Sequence, residues 1–370
     1  MDPRLDKVDS KCSGCGSWDL EPDTDIMDTW ATSSLTPRLY LLHDKLFDFL
    51  YPMDIRFQGH DIINFWAFTS IVRSHIHDGL APWATIAISG NVYDPLGQKM
   101  SKSKGNIVEP QALIKQYGAD SVRYWASTTI PGDDIKVKEQ DFVRGRRTLI
   151  KLSNAANLVK IITGTEKAPS APGEVKYPVN RWILGKLNET IEACTVNMDQ
   201  FQVSHARAEL DNFFWNVFCD NYLEIAKSVN NRKETIAGDL LAEVALTLNY
   251  VLAQTMKMYA PVLPFIAEEI YHMHNLGTLK SIHLEHWPAP LELGISDNDI
   301  SDFDYVVSVI SAIRAFKTER KLSMSAEIGD ITIGGNEQVI RHNAEIIRIS
   351  MNTGNIAAAG SQAIEVREAK

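Results

Sequence analysis

Between Met53 and Gln58 apolar and polar residues alternate, with Met53, Ile55 and Phe57 set against Asp54, Arg56 and Gln58. That is the period of a half-buried strand. At Gly59-His60-Asp61 the pattern changes to a helical one, from about Ile62 to His77, closed by Gly79 and with Asp61 as the expected N-cap. The apolar run from Ala84 to Ser89 predicts a second strand. A type I turn is expected at Asp94-Pro95-Leu96-Gly97, with Pro second and Gly fourth. Pro110 opens a short helix that Gly118 ends, and Asp120 is expected to cap another through Trp125.

From about Phe142 to Tyr271 the pattern is helical throughout. Val179 to Met198 carries an apolar stripe at Trp182, Ile183, Leu187, Ile191 and Val196. An aromatic-rich helix follows over Phe213 to Ile225, a third over Leu240 to Tyr259, and a fourth from Pro264. Short connections favour antiparallel packing into a bundle, with the aromatic residues in its core. A turn-rich linker spans Thr163 to Pro178 and includes Gly164, Pro169, Pro172 and Gly173. After a break near Trp287-Pro288-Ala289-Pro290, a helix is expected at Phe303–Lys321 and a strand at Ile328–Ile333. A further helix at Glu337–Met351 and a last strand at Ala363–Val366 complete a small α+β appendage.

The chain has 370 residues, 45% apolar and 23% charged, enough for two or three domains with real cores. No apolar run is long enough to span a membrane, and the first residues (Asp2, Pro3, Arg4 and Asp6 among them) do not resemble a signal peptide. Four cysteines in a chain this long point to a reducing, cytoplasmic setting. The net charge of −10 argues against non-specific nucleic-acid binding and against DNA as a partner. It leaves room for local basic stripes, of which two candidates are Lys136, Lys138, Arg144, Arg146, Arg147 and Lys151, and Arg314, Lys317, Arg320 and Lys321.

The candidate chemistry lies at Lys99-Met100-Ser101-Lys102-Ser103, continued as Lys104-Gly105-Asn106. Two ammonium groups three residues apart on a small, hydroxyl-rich loop suit a mobile clamp on a polyphosphate, since a lysine is a point charge on a flexible stem. Ser101, Ser103 and Gly105 let the backbone approach closely and donate. Gly59 and Asp61, at the carboxyl end of a strand, suit bare-backbone contact with a nucleoside and acceptance of ribose hydroxyls. Cys12 and Cys15 form Cys-x-x-Cys, half of a tetrahedral zinc site. The second pair would have to come from elsewhere, because Cys194 and Cys219 fall in predicted helices; the alternatives are an idle thiol pair and a redox motif, the latter disfavoured because no βαβ pattern surrounds it.

The lysine string resembles the KMSKS loop of class I aminoacyl-tRNA synthetases. The stretches Asp25-Ile26-Met27-Asp28-Thr29-Trp30 and Gly59-His60-Asp61-Ile62-Ile63-Asn64-Phe65-Trp66 are most similar to the valine-specific branch of that family. The resemblance implies a multidomain chain: an α/β second half of a Rossmann-like nucleotide-binding domain (1–140), a stem-contact and α-helical bundle anticodon-binding domain (141–290), and a small α+β carboxy-terminal region (300–370). It implies that Gly59, Asp61, Lys99, Met100, Ser101, Lys102 and Ser103 bind ATP, with Lys99 and Lys102 acting on the pyrophosphate. Trp30, Ile62 and Trp66 would wall the amino-acid pocket. Magnesium is expected with ATP, zinc in the complete enzyme, and tRNA(Val) and valine as partners.

No His-x-Gly-His occurs in the sequence. The resemblance places that motif and an editing domain upstream of Met1. The expectation is therefore the carboxy-terminal part of a valine ligase, inactive alone and dependent on a complementary amino-terminal polypeptide. Two other readings stand beside it: a non-catalytic tRNA-binding paralogue, and a fragment of an isoleucine, leucine or methionine enzyme.

Overall fold

The computed structural model describes residues 11–21, 25, 28–43, 46–164, 168 and 171–368. Of the residues singled out above, Asp2, Pro3, Arg4, Asp6, Ile26, Met27 and Pro169 lie outside these. The chain forms two compact units, Met1–Val92 with Pro131–Ile135, and Tyr93–Ile130 with Lys136–Lys370.

In the first unit, short helices α1 (Thr29–Ser33), α2 (Thr36–His43) and α3 (Phe47–Leu50) precede strand β1 (Met53–Gly59). A 3-10 turn (His60–Ile62) and a π turn (Ile63–Ala67) lead into α4 (Phe68–Asp78), and strand β2 (Trp83–Ser89) follows. The two strands pair in parallel, from Met53 opposite Trp83 to Gly59 opposite Ser89. Gly79 ends α4 at φ 75°, a left-handed position that favours glycine. The predicted strand–helix–strand unit is present.

Two local expectations are overturned. Asp61 is not the N-cap. Gly59 holds that position without a side-chain bond, because the helix starts as a 3-10 turn with Asp61 inside it. The strand alternation also inverts at its end, where Phe57 is 60% exposed and Gln58 is buried. The face of β1 carrying Arg56 and Gln58 is the covered one there, with the Arg56 guanidinium 4.8 Å from the Trp66 ring centroid.

The chain passes between the units within two-residue strands, β3 (Val92–Tyr93) and β4 (Ile135–Lys136). The second unit opens with the lysine loop, then α5 (Pro110–Tyr117) and α6 (Ala119–Ala126). The bundle comprises α7 (Glu139–Thr163), α8 (Pro178–Asp199), α9 (Val203–Asn212), α10 (Leu223–Asn230), α11 (Gly238–Tyr259) and α12 (Pro264–Met273). A π segment, Phe213–Tyr222, joins α9 to α10 without a break. Phe213, Phe214, Phe218 and Tyr222 on that segment are buried with Trp182 and Tyr259, so these aromatics are core as expected, whereas Trp215 is only half-buried and Phe265 on α12 is 67% exposed.

Asp120 does not cap its own helix, whose N-cap is Gly118. Its buried carboxylate instead accepts from the N–H groups of Phe265 (3.4 Å) and Ile266 (2.7 Å), capping α12. Burial pushes this carboxyl upward, against those two donors. One turn later Arg123 donates to the carbonyls of Val262 (3.0 Å) and Pro261 (2.8 Å). Tyr124 reaches Asp211 at 2.7 Å, and Tyr259 donates to the same carboxylate at 2.8 Å.

The appendage begins with α13 (Asp297–Glu319), opened by a reciprocal capping box between Ser296 and Asp299. Its sheet has β5 (Ile331–Gly335) at the centre, parallel to β6 (Ile356–Gly360) and antiparallel to β7 (Glu365–Glu368). The helix expected over 337–351 is broken at Asn343 into α14 (Glu337–His342) and α15 (Ala344–Met351). The second cationic set is not an exposed stripe. Lys317 is fully buried, its ammonium donating to the carbonyls of Met324 (2.9 Å), Ala326 (2.7 Å) and Met351 (2.7 Å). Arg320 lies over Phe316 and pairs with Glu368 at 3.3 Å.

Candidate active site

In the second unit the predicted turn forms, with the Gly97 N–H on the Asp94 carbonyl at 2.9 Å and Gly97 at φ 80°. Tyr93 and Lys99 then bridge as antiparallel neighbours, which fixes the entry of the loop. Asp94 organises the turn: its Oδ1 accepts from the N–H of Gln98 (2.7 Å) and Leu96 (3.0 Å), and its Oδ2 from Asn106 Nδ2 (2.9 Å). The Gln98 N–H first, and Asn106 next, hold the Asp94 carboxyl below its ordinary range. Asn106 also accepts from the Ser101 N–H (3.0 Å) and donates to the Lys99 carbonyl (3.3 Å), so one amide closes both ends of the loop.

Between those ends, Ser101 caps a 3-10 turn over Lys102–Lys104, and Gly105 closes it at φ 65°. Ser101 and Ser103 hydroxyls stand 3.3 Å apart, and Met100 packs inward, its sulfur accepting from the Val108 N–H at 3.3 Å. Lys99 and Lys102 are exposed and have no carboxylate partner among the described residues. The loop therefore has a fixed frame and free cationic side chains, the arrangement that serves an incoming anion. Asp94 and Asn106 were not singled out from the sequence as functional. An Asp at the first position of a turn was the available signal for one of them.

In the first unit, Gly59 ends β1 and carries Asp61 close against it: a Cβ at Gly59 would lie 2.8 Å from Asp61 Oδ1. Asp61 is exposed and its carboxylate has no partner among the described residues. Trp30, Ile62 and Trp66 do come together. Trp66 and Trp83 are buried and stack at 5.3 Å, and Trp30, Met53, Ile62 and Ile86 pack around them. The Trp66 indole N–H donates to the Ser33 carbonyl at 3.2 Å, which ties α1 to the π turn. Trp30 stacks on Phe65 at 5.8 Å and is only half-buried. Gln58 is buried beside this cluster's strand, with neither amide atom partnered among the described residues.

Cys12 and Cys15 sit on a tight turn, with the Gly16 N–H on the Cys12 carbonyl at 2.9 Å and Gly16 at φ 75°. The N–H groups of Cys15, then Gly14, lower the Cys12 thiol pKa. Among the described residues no group of three or more His, Cys, Asp or Glu side chains is placed to hold a metal, and a tetrahedral zinc site would require two ligands beyond Cys12 and Cys15. Among the described residues no helix is long and apolar enough to cross a membrane.

Residues 4–138 match the family described as tRNA synthetases class I (I, L, M and V), and residues 180–333 match the anticodon-binding domain of tRNA ligase. The chain is 50% identical to a valine–tRNA ligase of Picrophilus torridus, over 99% of this chain and 46% of that protein. It is 48% identical to one of Thermoplasma acidophilum, again over 99% and 46%. The chain thus spans about half the length of the curated relatives it matches. Among solved structures, an Agrobacterium radiobacter LeuRS in a ternary complex with tRNA and LeuAMS superposes with a TM-score of 0.58 at 22% identity, over 79% of this chain and 35% of that one. A Mycobacterium tuberculosis methionyl-tRNA synthetase with methionyl-adenylate gives 0.52 at 24%, over 66% and 49%. At such identities the likeness concerns the fold alone.

Proposed function

The chain belongs to the class I tRNA synthetases, and we propose that it carries the lysine loop, the adenosine-holding strand end and the tRNA-binding bundle of an ATP-dependent valine–tRNA ligase. The domains are proposed as 1–140, 141–290 and 300–370. In the first step the carboxylate of valine attacks the α-phosphate of ATP and pyrophosphate leaves. Gly59 offers bare backbone to the adenosine and Asp61 an acceptor for ribose hydroxyls. Lys99 and Lys102 neutralise the charge that grows on pyrophosphate, Lys102 as the principal contact, while Met100, Ser101 and Ser103 shape the loop. Donors aimed at developing charge commonly contribute about 100- to 1000-fold each. In the second step the valyl group passes to the terminal ribose of tRNA(Val).

Trp30, Ile62 and Trp66 are proposed to bound a slot for the valine side chain. Magnesium accompanies ATP. Zinc at Cys12 and Cys15 requires two further ligands, and no step depends on it. The sequence has no His-x-Gly-His, so activation is proposed to need further polypeptide bearing that element.

The observation that supports this reading best is the Asp94–Asn106 frame, which leaves both loop lysines without carboxylate partners, in a chain half identical to valine–tRNA ligases. The test is valine-dependent exchange of pyrophosphate into ATP by the chain mixed with an amino-terminal polypeptide of a relative. Exchange lost on Lys102→Ala supports the reading. Exchange that prefers isoleucine, leucine or methionine, or that survives Lys102→Ala at full rate, overturns it.

A further inference from the structure

Gln58, the last residue but one of β1, is 6% exposed. Neither its Nε2 nor its Oε1 has a hydrogen-bond partner among the described residues, and it is the one buried side chain there with two such atoms. The backbone beside it is engaged: Gln58 stands opposite Ile88 of β2, and its carbonyl accepts from the Ser89 hydroxyl at 3.2 Å. The strand is therefore held, and only the amide is left over. A buried amide without partners destabilises its fold, and each such group in a folded chain calls for a reason. Methionine would fill nearly the same volume and leave nothing unbonded.

Position supplies the reason. Side chains two apart on a strand share a face, so Gln58 lies on the side of Arg56, whose guanidinium is 4.8 Å from the Trp66 ring centroid. Trp66 packs with Trp30 and Ile62, the residues proposed to bound the valine side chain. Directly after Gln58 come Gly59 and Asp61, proposed to hold the nucleoside. The amide thus falls between the two ends of the ligand, where the groups on the amino acid's α-carbon must lie. All these residues belong to one compact unit.

The chemistry of those groups matches. An amide presents a donor and an acceptor side by side, and an amino acid carries their complements, an accepting carboxylate and a donating ammonium, on one carbon. Arg56 decides which of the two comes nearer the strand. It has no carboxylate partner among the described residues, and its Nε is buried and unpartnered there. A guanidinium on this face attracts the carboxylate and repels the ammonium. The bond from the amide to that carboxylate is then charge-assisted, the stronger kind.

We infer that Gln58 is a substrate contact for valine, with Nε2 donating to the carboxylate and Oε1 accepting from the α-ammonium. The inference rests on the valine–tRNA ligase reading above and adds a residue to its site. In the activation step one carboxylate oxygen forms its bond to the α-phosphorus as the bond to the bridging oxygen breaks. The electron pair leaves on pyrophosphate, and no proton moves. The other oxygen stays on carbon as the carbonyl; Nε2 holds it, which fixes the line of attack.

The test is pyrophosphate exchange by the chain mixed with an amino-terminal polypeptide of a relative, with the variants Gln58→Met and Gln58→Glu. Gln58→Met is expected to raise the KM for valine at least about tenfold and to leave the KM for ATP within about twofold. Gln58→Glu sets one carboxylate against another. Its exchange, relative to the unmodified chain, is expected to recover as pH falls from about 8 to about 6, because a protonated glutamic acid donates where a glutamate cannot. Thermal melts of the 370-residue chain alone add a readout free of activity: Gln58→Met should melt at the unmodified temperature or higher. A melting temperature lowered by more than about 3 °C would show the amide bonded within the fold and overturns the inference. An unchanged valine KM, a rise in the ATP KM instead, or a flat pH ratio for Gln58→Glu overturns it too. So does a greater demand for the amino-terminal polypeptide with the valine KM unchanged. Each of these leaves the ligase reading standing, whereas absence of valine-dependent exchange from the unmodified mixture overturns both together.

Discussion

Asn106 reaches back twelve residues to Asp94: its Nδ2 donates to Asp94 Oδ2 at 2.9 Å, while its Oδ1 receives the Ser101 N–H at 3.0 Å. The two side chains form a brace across the base of the lysine loop. Replacing Asn106 by Ala removes the amide's bonds to Asp94, Ser101 and Lys99 together. The expected result is a chain that folds normally but whose loop is cut by trypsin at Lys99, Lys102 or Lys104 about five to ten times faster, since local opening sets the rate of nicking. Cleavage at the unmodified rate would show that the brace does not order the loop.

The capping box of α13 makes a pH-dependent prediction. Asp299 accepts from Arg181 (2.9 Å) and from the Ser296 N–H (2.8 Å). Arg181 first, and Ser296 next, hold this carboxyl well below the ordinary aspartate range. A depressed acid contributes its stability above the unfolded pKa, about 4, and loses it as pH falls toward the folded value. Thermal melts of the chain and its Asp299→Asn variant should therefore differ at pH 7. The gap should narrow steadily below about pH 4. A gap that widens on acidification would contradict this assignment.

Lys317 is the polar keystone of the appendage, its ammonium spread over three carbonyls from two chain segments. Lys317→Met retains the aliphatic stem but removes the donor that all three carbonyls share. A loss of about 3 kcal/mol is expected from urea unfolding midpoints, with the m-value little changed. An unaltered midpoint would mean that water replaces the ammonium.

Trp66 and Trp30 differ in how much they hold up. Trp66 is 6% exposed, stacked on Trp83 and bonded to Ser33. Its change to Ala should cost about 3–5 kcal/mol. Trp30→Ala, at a half-buried site, should cost clearly less. Hydrogen exchange of the β1 and β2 amides reads both, and a larger loss of protection from Trp30→Ala would reverse the assignment.

The sequence announced those elements whose signal is local. The strand at Met53–Gly59 (though not its full alternation), the turn at Asp94–Gly97, Pro at helix starts and Gly at helix ends are all decided within a few residues, and they lie where expected. What was hidden depended on distant partners. Asp120 sits at the start of α6 and looks like its cap, yet the amides it satisfies are some 145 residues away. Lys317 reads as one more charge on a helix, and only the carbonyls of 324, 326 and 351 make it an interior group. Strand β6, Ile356–Gly360, is mostly alanine and glycine and has little strand propensity of its own; pairing with β5 creates it. At the lysine loop the cations were legible as a string of letters. The Asp94–Asn106 brace that presents them was not.

Helix α6 grips the turn between α11 and α12 from both ends, with the Asp120 carboxylate on the start of one helix and the Arg123 guanidinium on the last carbonyls before it. Such a two-handed hold leaves no slack: α6 cannot pivot on that turn without stripping a buried carboxylate of its donors. The helix that follows the lysine loop and α5 is thus bolted to the bundle at two points, where a single contact would have left a swivel.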